Sequence, residues 1–112
     1  MKHYVVLLDR DRIPGELRIP EFDHVWVEHP HTPPDACVDH LWRATIGVTH
    51  DTPITAQVLA GCPKLRCLLV TGASLDVVDA AACRERGIAV RHLPPDGDAV
   101  MDAIEDCARG LA

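Results

Sequence analysis

Residues 53–90 read PITAQVLAGCPKLRCLLVTGASLDVVDAAACRERGIAV, a stretch that alternates helix signals with short apolar runs. Thr55 is a candidate N-cap before Ala56 to Ala60, because its hydroxyl can satisfy an amide that a starting helix leaves unpaired. Gly61 follows where a left-handed C′ residue is favoured, and Pro63 blocks continuation. Cys67 to Val70 is then an aliphatic run without polar alternation, the pattern of a strand buried on both faces. Asp79 opens a second helix, Ala80 to Arg86, which Gly87 closes before the apolar run Ile88 to Val90. Strands joined through a helix pair in parallel, with a right-handed crossover. The stretch predicts an α/β fold.

Working outward, Tyr4 to Leu8, Val25 to Val27 and Thr45 to Val48 are further apolar runs, completing a set of five strands. A helix over Ala36 to Trp42 is expected before the third, introduced by Thr32-Pro33-Pro34-Asp35, in which Asp35 stands as the candidate N-cap. The first connection, Ile13 to Phe22, carries two prolines and predicts a loop with a turn of helix. After the fifth strand, Leu93-Pro94-Pro95-Asp96-Gly97 is a hinge-like turn. Val100, Ile104, Cys107 and Leu111 then step by four, three and four along a terminal amphipathic helix, 98–112, with Asp98 as candidate N-cap. The whole predicts one domain over residues 1–112: a three-layer, doubly wound parallel sheet of flavodoxin-like order 2-1-3-4-5.

A chain of 112 residues is long enough to bury a sizeable core, which must be aliphatic, since Trp26, Trp42, Tyr4 and Phe22 are its only large aromatics. The net charge of −6, without a run of Lys or Arg, excludes nucleic acid and anionic membrane as expected partners. Tyr4 to Leu8 is too short for a signal h-region or a span, so the expectation is a cytoplasmic protein. Cys37, Cys62, Cys67, Cys83 and Cys107 are odd in number and lack a C-x-x-C, which predicts small core residues rather than disulfides or a zinc knuckle. His24, His29-Pro30-His31 and His40 have no Asp or Cys partner at metal spacing; exposed loop histidines and no metal are expected.

The stretch from Pro53 to Val90 resembles the end of the N-terminal substrate domain of the NAD-dependent D-2-hydroxyacid dehydrogenases. Residues 5–35, VVLLDRDRIPGELRIPEFDHVWVEHPHTPPD, are similar to the opening strand, loop and second strand of glycerate-dehydrogenase-like members. Pro53-Ile54-Thr55-Ala56 resembles the P-[LI]-T-x entry to their third helix. The resemblance is strongest from Asp76-Val77-Val78-Asp79 to Ile88. It implies that a loop written roughly A-x-T-G-x-D-N-[VI]-D holds a substrate carboxylate on its amides. Here that loop is Thr71-Gly72-Ala73-Ser74-Leu75-Asp76, with His50 in the neighbouring loop Thr49 to Pro53. Ser74 stands where the family has glycine, and Val77 where it has asparagine. Both departures predict weak carboxylate binding.

In that family a nucleotide domain follows, opening with G-x-G-x-x-G and carrying the catalytic arginine, acid and histidine. None of these has a counterpart in this sequence, so no cofactor and no dehydrogenase activity are expected of the chain alone. Three roles stay open: a stand-alone binder of a small carboxylate, a protein-interaction module with a homodimer through the last helix, or one half of a split enzyme completed by a separate nucleotide-binding chain. The charged residues Asp102, Glu105, Asp106 and Arg109 suggest a solvated outer face on that helix. A different class is a receiver-like signalling domain, for which Asp9, Asp11, Asp51 and Thr71 would supply the crevice. Arg91-His92 stands where that class needs lysine. The bland reading of Asp9 and Asp11 is that they cap the turn after strand one.

Overall fold

The computed structural model describes residues 2–111; Met1 and Ala112, the ends of the expected domain, lie outside the described residues, as does the side chain of Leu111. Five parallel strands, β1 (His3–Leu7), β2 (His24–Glu28), β3 (Ile46–Thr49), β4 (Cys67–Val70) and β5 (Ala89–His92), form one sheet in the order β2-β1-β3-β4-β5. This is the expected flavodoxin-like α/β architecture. Boundaries shift by a residue or two, most at β5, which runs on through Arg91 and His92 opposite Leu69 and Val70. An edge strand needs only one paired side, so polar residues serve there, and the apolar run ends before the strand does.

Side chains two apart along each strand share a face. Val6, Leu8, Leu68 and Val70 point to the layer formed by α1 (Cys37–Leu41), α2 (Ala56–Ala60) and α3 (Ala80–Glu85), among Leu41, Ile54, Leu59 and Cys83. Val5, Leu7, Ile46, Val48, Cys67 and Leu69 point the other way, to Val100, Met101, Ile104 and Ala108 of α4 (Gly97–Leu111). The connection after β1 completes that second layer: a 3-10 turn at Arg10–Arg12, then an irregular segment whose Ile13, Leu17 and Phe22 cover the sheet. Extended backbone thus stands in for a helix. Arg18 fastens it to α4, 2.7 Å from Asp102 and 2.5 Å from Glu105. The charged face of α4 is therefore partly clasped rather than simply solvated.

Thr55 and Asp79 cap as expected, accepting from the amides of Val58 (3.2 Å) and Ala82 (3.0 Å). Three other expectations are corrected. Asp35 does not cap α1; it lies inside a 3-10 turn, Pro34–Ala36, that the two prolines impose before the helix. Gly61 has φ −87°, so of the two helix-ending glycines only Gly87, at +69°, is left-handed. The cap of α4 is Asp96, whose carboxylate accepts from the Asp98 amide at 3.2 Å; Asp98 already lies in the first turn.

Gly97 starts α4 one residue earlier than expected because nothing larger fits. A Cβ there would stand 2.9 Å from the Glu16 carbonyl oxygen. Gly97→Ala should therefore cost about 1–2 kcal/mol through forced backbone displacement, despite alanine's better helix propensity. Gly110→Ala, on the same helix with nothing within 4 Å, should instead gain up to about 0.5 kcal/mol. Urea denaturation of the two variants checks the opposite signs.

Candidate functional site

At the carboxyl ends of β1 and β3 lies a buried carboxylate. Asp9 Oδ2 accepts from the amides of His50 (2.9 Å), Asp51 (3.2 Å) and Thr52 (3.2 Å) and from the Thr49 hydroxyl (3.3 Å). Oδ1 accepts from the Thr52 hydroxyl at 2.8 Å and the Thr32 amide at 3.3 Å. Burial pushes the carboxyl up, but the donors led by His50 and Thr52 outweigh it and hold Asp9 below its ordinary range. The effect is to fix the loop after β3, and with it His50, against β1. Neither Asp9 side-chain oxygen caps the 3-10 turn that follows it; only its backbone carbonyl does, accepting from the Arg12 amide at 3.0 Å.

His50 faces a second loop, the one after β4. Its Nδ1 is 3.0 Å from the Thr71 hydroxyl. The two loops touch so closely at Gly72 that a Cβ there would be 2.0 Å from the His50 carbonyl oxygen, an overlap no side chain survives. On the far side, His92 at the end of β5 lies 2.6 Å from the Gly72 carbonyl through Nε2. A carbonyl only accepts, so Nε2 carries the His92 proton and pins the 72–73 peptide plane. Leu93, Pro94 and Pro95 complete a cleft of about 520 Å³ lined by His50, Thr71, Gly72, Ala73 and His92. Within it, the amides of Gly72 and Ala73 have no acceptor among the described residues.

The family model for the D-isomer specific 2-hydroxyacid dehydrogenase catalytic domain matches residues 6–100, a span that contains every wall of this cleft. The chain belongs to the D-2-hydroxyacid dehydrogenase family. A putative 2-hydroxyacid dehydrogenase of Haemophilus influenzae is 33% identical over 91 residues, covering 80% of this chain and 29% of that protein. A glycerate dehydrogenase of Methylorubrum extorquens is 34% identical over 94 residues, covering 83% and 30%. The chain thus spans under a third of the length of these relatives. An acyclic imino acid reductase solved with NADPH and D-Arg shares the fold, with a TM-score of 0.62 at 17% identity over 80% of this chain and 31% of that one.

Of the loop assigned to the family's carboxylate-binding position, only Thr71 to Ala73 line the cleft; Ser74, Leu75 and Asp76 do not. The Thr71 amide is already bound to the Thr49 carbonyl at 2.9 Å, and the Asp76 amide to the Ser74 hydroxyl at 3.0 Å. Ser74 Oγ therefore caps the 3-10 turn Leu75–Val77 as an acceptor, on extended backbone at φ −142° that asks for no glycine. His92 is the site residue that sequence reasoning did not single out. Its signal was position alone, at the carboxyl end of a parallel strand.

The receiver-like constellation does not assemble. Asp9 is committed to its donors, Asp51 pairs with Arg12 at 3.3 Å, and Asp11 is exposed. Among the described residues no group of three His, Cys, Asp or Glu is placed to hold a metal. His31 is exposed as expected, but His29 and His40 are half-buried and stacked in parallel, ring centroids 3.6 Å apart. Burial first, and then His40, push the His29 imidazole below its ordinary range. Burial likewise pushes the Cys37 and Cys62 thiols up to about 12 and about 11, which suits core packing. Cys107 is only half-buried and bonds the Cys67 thiol across the α4–sheet contact, which raises Cys67 and lowers Cys107.

Because Asp9 titrates below its unfolded value, its stabilisation is complete above the unfolded carboxylate pKa, about 4, and fades as pH falls through the lower folded value. Asp9→Asn should lose about 2–4 kcal/mol at pH 7, since buried donors then face a group that accepts at only one atom. The variant should also lack the Asp9 share of the acid destabilisation. Denaturant titrations of both proteins from pH 7 to pH 3 read both effects, and curves that stay parallel would contradict the assignment.

Proposed function

We propose that this domain binds a small 2-hydroxy or 2-oxo carboxylate in the cleft between His50 and His92. The observation that carries the reading is the pair of unclaimed amides, Gly72 and Ala73, held between two imidazoles at the carboxyl ends of β3, β4 and β5. Amides on a strand-to-helix loop are suited to a carboxylate, and the crevice at the strand ends is where such sheets place ligands. With the Thr71 hydroxyl donating to His50 Nδ1, the imidazole proton sits on Nε2, available to a second ligand oxygen. The relatives named as dehydrogenases of 2-hydroxyacids and glycerate support that ligand class.

Hydride chemistry on such an acid requires a nicotinamide, which supplies the electron pair when bound. The β1–β3 switch point, where a doubly wound sheet receives a nucleotide pyrophosphate, is filled here by the Asp9 carboxylate. Its oxygens take the amides that a phosphate would need, so these residues do not fit a dinucleotide. The cofactor would come from a separate nucleotide-binding unit, whether in a longer polypeptide or a partner chain. The apolar stripe of α4 is already buried on the sheet, which leaves a homodimer through that helix only its charged face.

Two amides and an imidazole without a catalytic cation predict millimolar affinity, about −4 kcal/mol. In an NMR titration of the 112-residue chain with D-glycerate or glyoxylate, shifts should centre on His50, Gly72, Ala73 and His92. Gly72→Ala should abolish them, because the loop must move off the His50 carbonyl. Absence of any shift at these residues at about 50 mM acid would remove the reading.

A further inference from the structure

We infer that the opposite end of the sheet carries a second site, for a multiply charged small anion of phosphate chemistry. Lys2, Tyr4, Trp42, Arg43, Thr45 and Lys64 line a depression of about 430 Å³. These residues sit at the amino ends of the strands: Lys2 just before β1, Thr45 just before β3, and Lys64 three residues ahead of β4. The cleft proposed for the carboxylate lies at the other ends, so the two sites share no residue.

Charge distribution is the main argument. Acidic residues outnumber basic ones 17 to 11, and Lys2 and Lys64 are the only lysines in the chain, yet both line this one depression together with Arg43. No Asp or Glu lines it. Five arginines elsewhere are paired, Arg10 with Glu28, Arg12 with Asp51, Arg18 with three carboxylates of α4, and Arg91 and Arg109 with Asp106. Arg66, Arg84 and Arg86 have no ion pair to a described carboxylate, but none of them lines a described depression with other cations as Lys2, Arg43 and Lys64 do. Lys2, Arg43 and Lys64 have no ion pair to any described carboxylate. Three cations held together without a counter-charge repel one another, and a polyanion relieves that repulsion at each of them.

Local geometry adds order to the charge. The Arg43 guanidinium lies over the Trp42 ring, 4.5 Å from its centroid, which restrains an otherwise loose side chain. Thr45 ties the floor together, its hydroxyl accepting from the Tyr4 amide at 3.0 Å. Trp42 itself is 42% exposed, so a flat group attached to the phosphate has an aromatic edge to lie against.

Inorganic pyrophosphate is the probe, titrated into the 112-residue chain at low ionic strength and followed by NMR. Shifts should centre on Lys2, Trp42, Arg43, Thr45 and Lys64, with orthophosphate binding more weakly and about 150 mM salt weakening both. The double variant Arg43→Gln/Lys64→Gln changes exposed residues only and should overlay the parent spectrum outside the site. It should bind pyrophosphate at least about tenfold more weakly while Gly72 and Ala73 still respond to D-glycerate as in the parent. AMP shifting the Trp42 indole beyond the change made by orthophosphate would extend the ligand class to nucleotides. No localised shift at about 20 mM pyrophosphate would overturn the proposal. So would shifts spread equally over Arg66, Arg84 and Arg109, or unchanged binding by the double variant.

Discussion

The arrangement of the whole functional end follows from one buried carboxylate. Asp9 takes amides or hydroxyls from three separate stretches of chain: the loop after β2 through Thr32, the end of β3 through Thr49, and the loop after β3 through His50, Asp51 and Thr52. A charge this far out of water is tolerable only because every lone pair meets a donor. That condition works in both directions. Apart from Thr49 at the end of β3, the donors come from loops outside the strands and helices, so the charge that needs them also helps to shape them. His50 inherits its position from this knot, and Gly72 inherits its close approach from His50.

Different parts of the fold were legible in the sequence for different reasons. The helices capped by Thr55 and Asp79 and the strands β1, β3 and β4 announce themselves, because burial on both faces selects runs of aliphatic residues, with the buried polar ones, His3 and Thr49, only at strand ends. The end of β5 did not, since Arg91 and His92 sit on an edge where water reaches them. Asp96 lost the cap to Asp98 on paper because both are aspartates ahead of an apolar stripe. The choice was made by Gly97, whose missing side chain lets the helix begin against Pro14 and Glu16. No local pattern encodes such a long-range fit.

The candidate site divides in the same way. Thr71 to Ala73 were singled out through family likeness, and they are the part of that loop that lines the cleft. Ser74 and Asp76 do not line the cleft, because a serine hydroxyl taking the amide two residues on commits both to the 3-10 turn that follows. Asp9 looked like a surface turn residue by composition. Only the three-dimensional convergence of threonine hydroxyls and amides reveals it as buried. His92 carries no motif at all; its role comes from the peptide plane beneath it.

The contact between Gly72 and the His50 carbonyl also bears on how the cleft can move. With no side chain between them, the loops after β3 and β4 are locked in step, and Asp9 anchors the pair to β1. That side behaves as a fixed anvil. The facing side is the short strap Leu93-Pro94-Pro95, which runs directly into α4, and two successive prolines make it stiff within itself. The strap is continuous with α4, whose Val100, Met101 and Ile104 are buried on the second face of the sheet, so the facing side is anchored in the core as well. Both jaws of the cleft are thus built on the sheet, and its width is set by packing and not by a free loop.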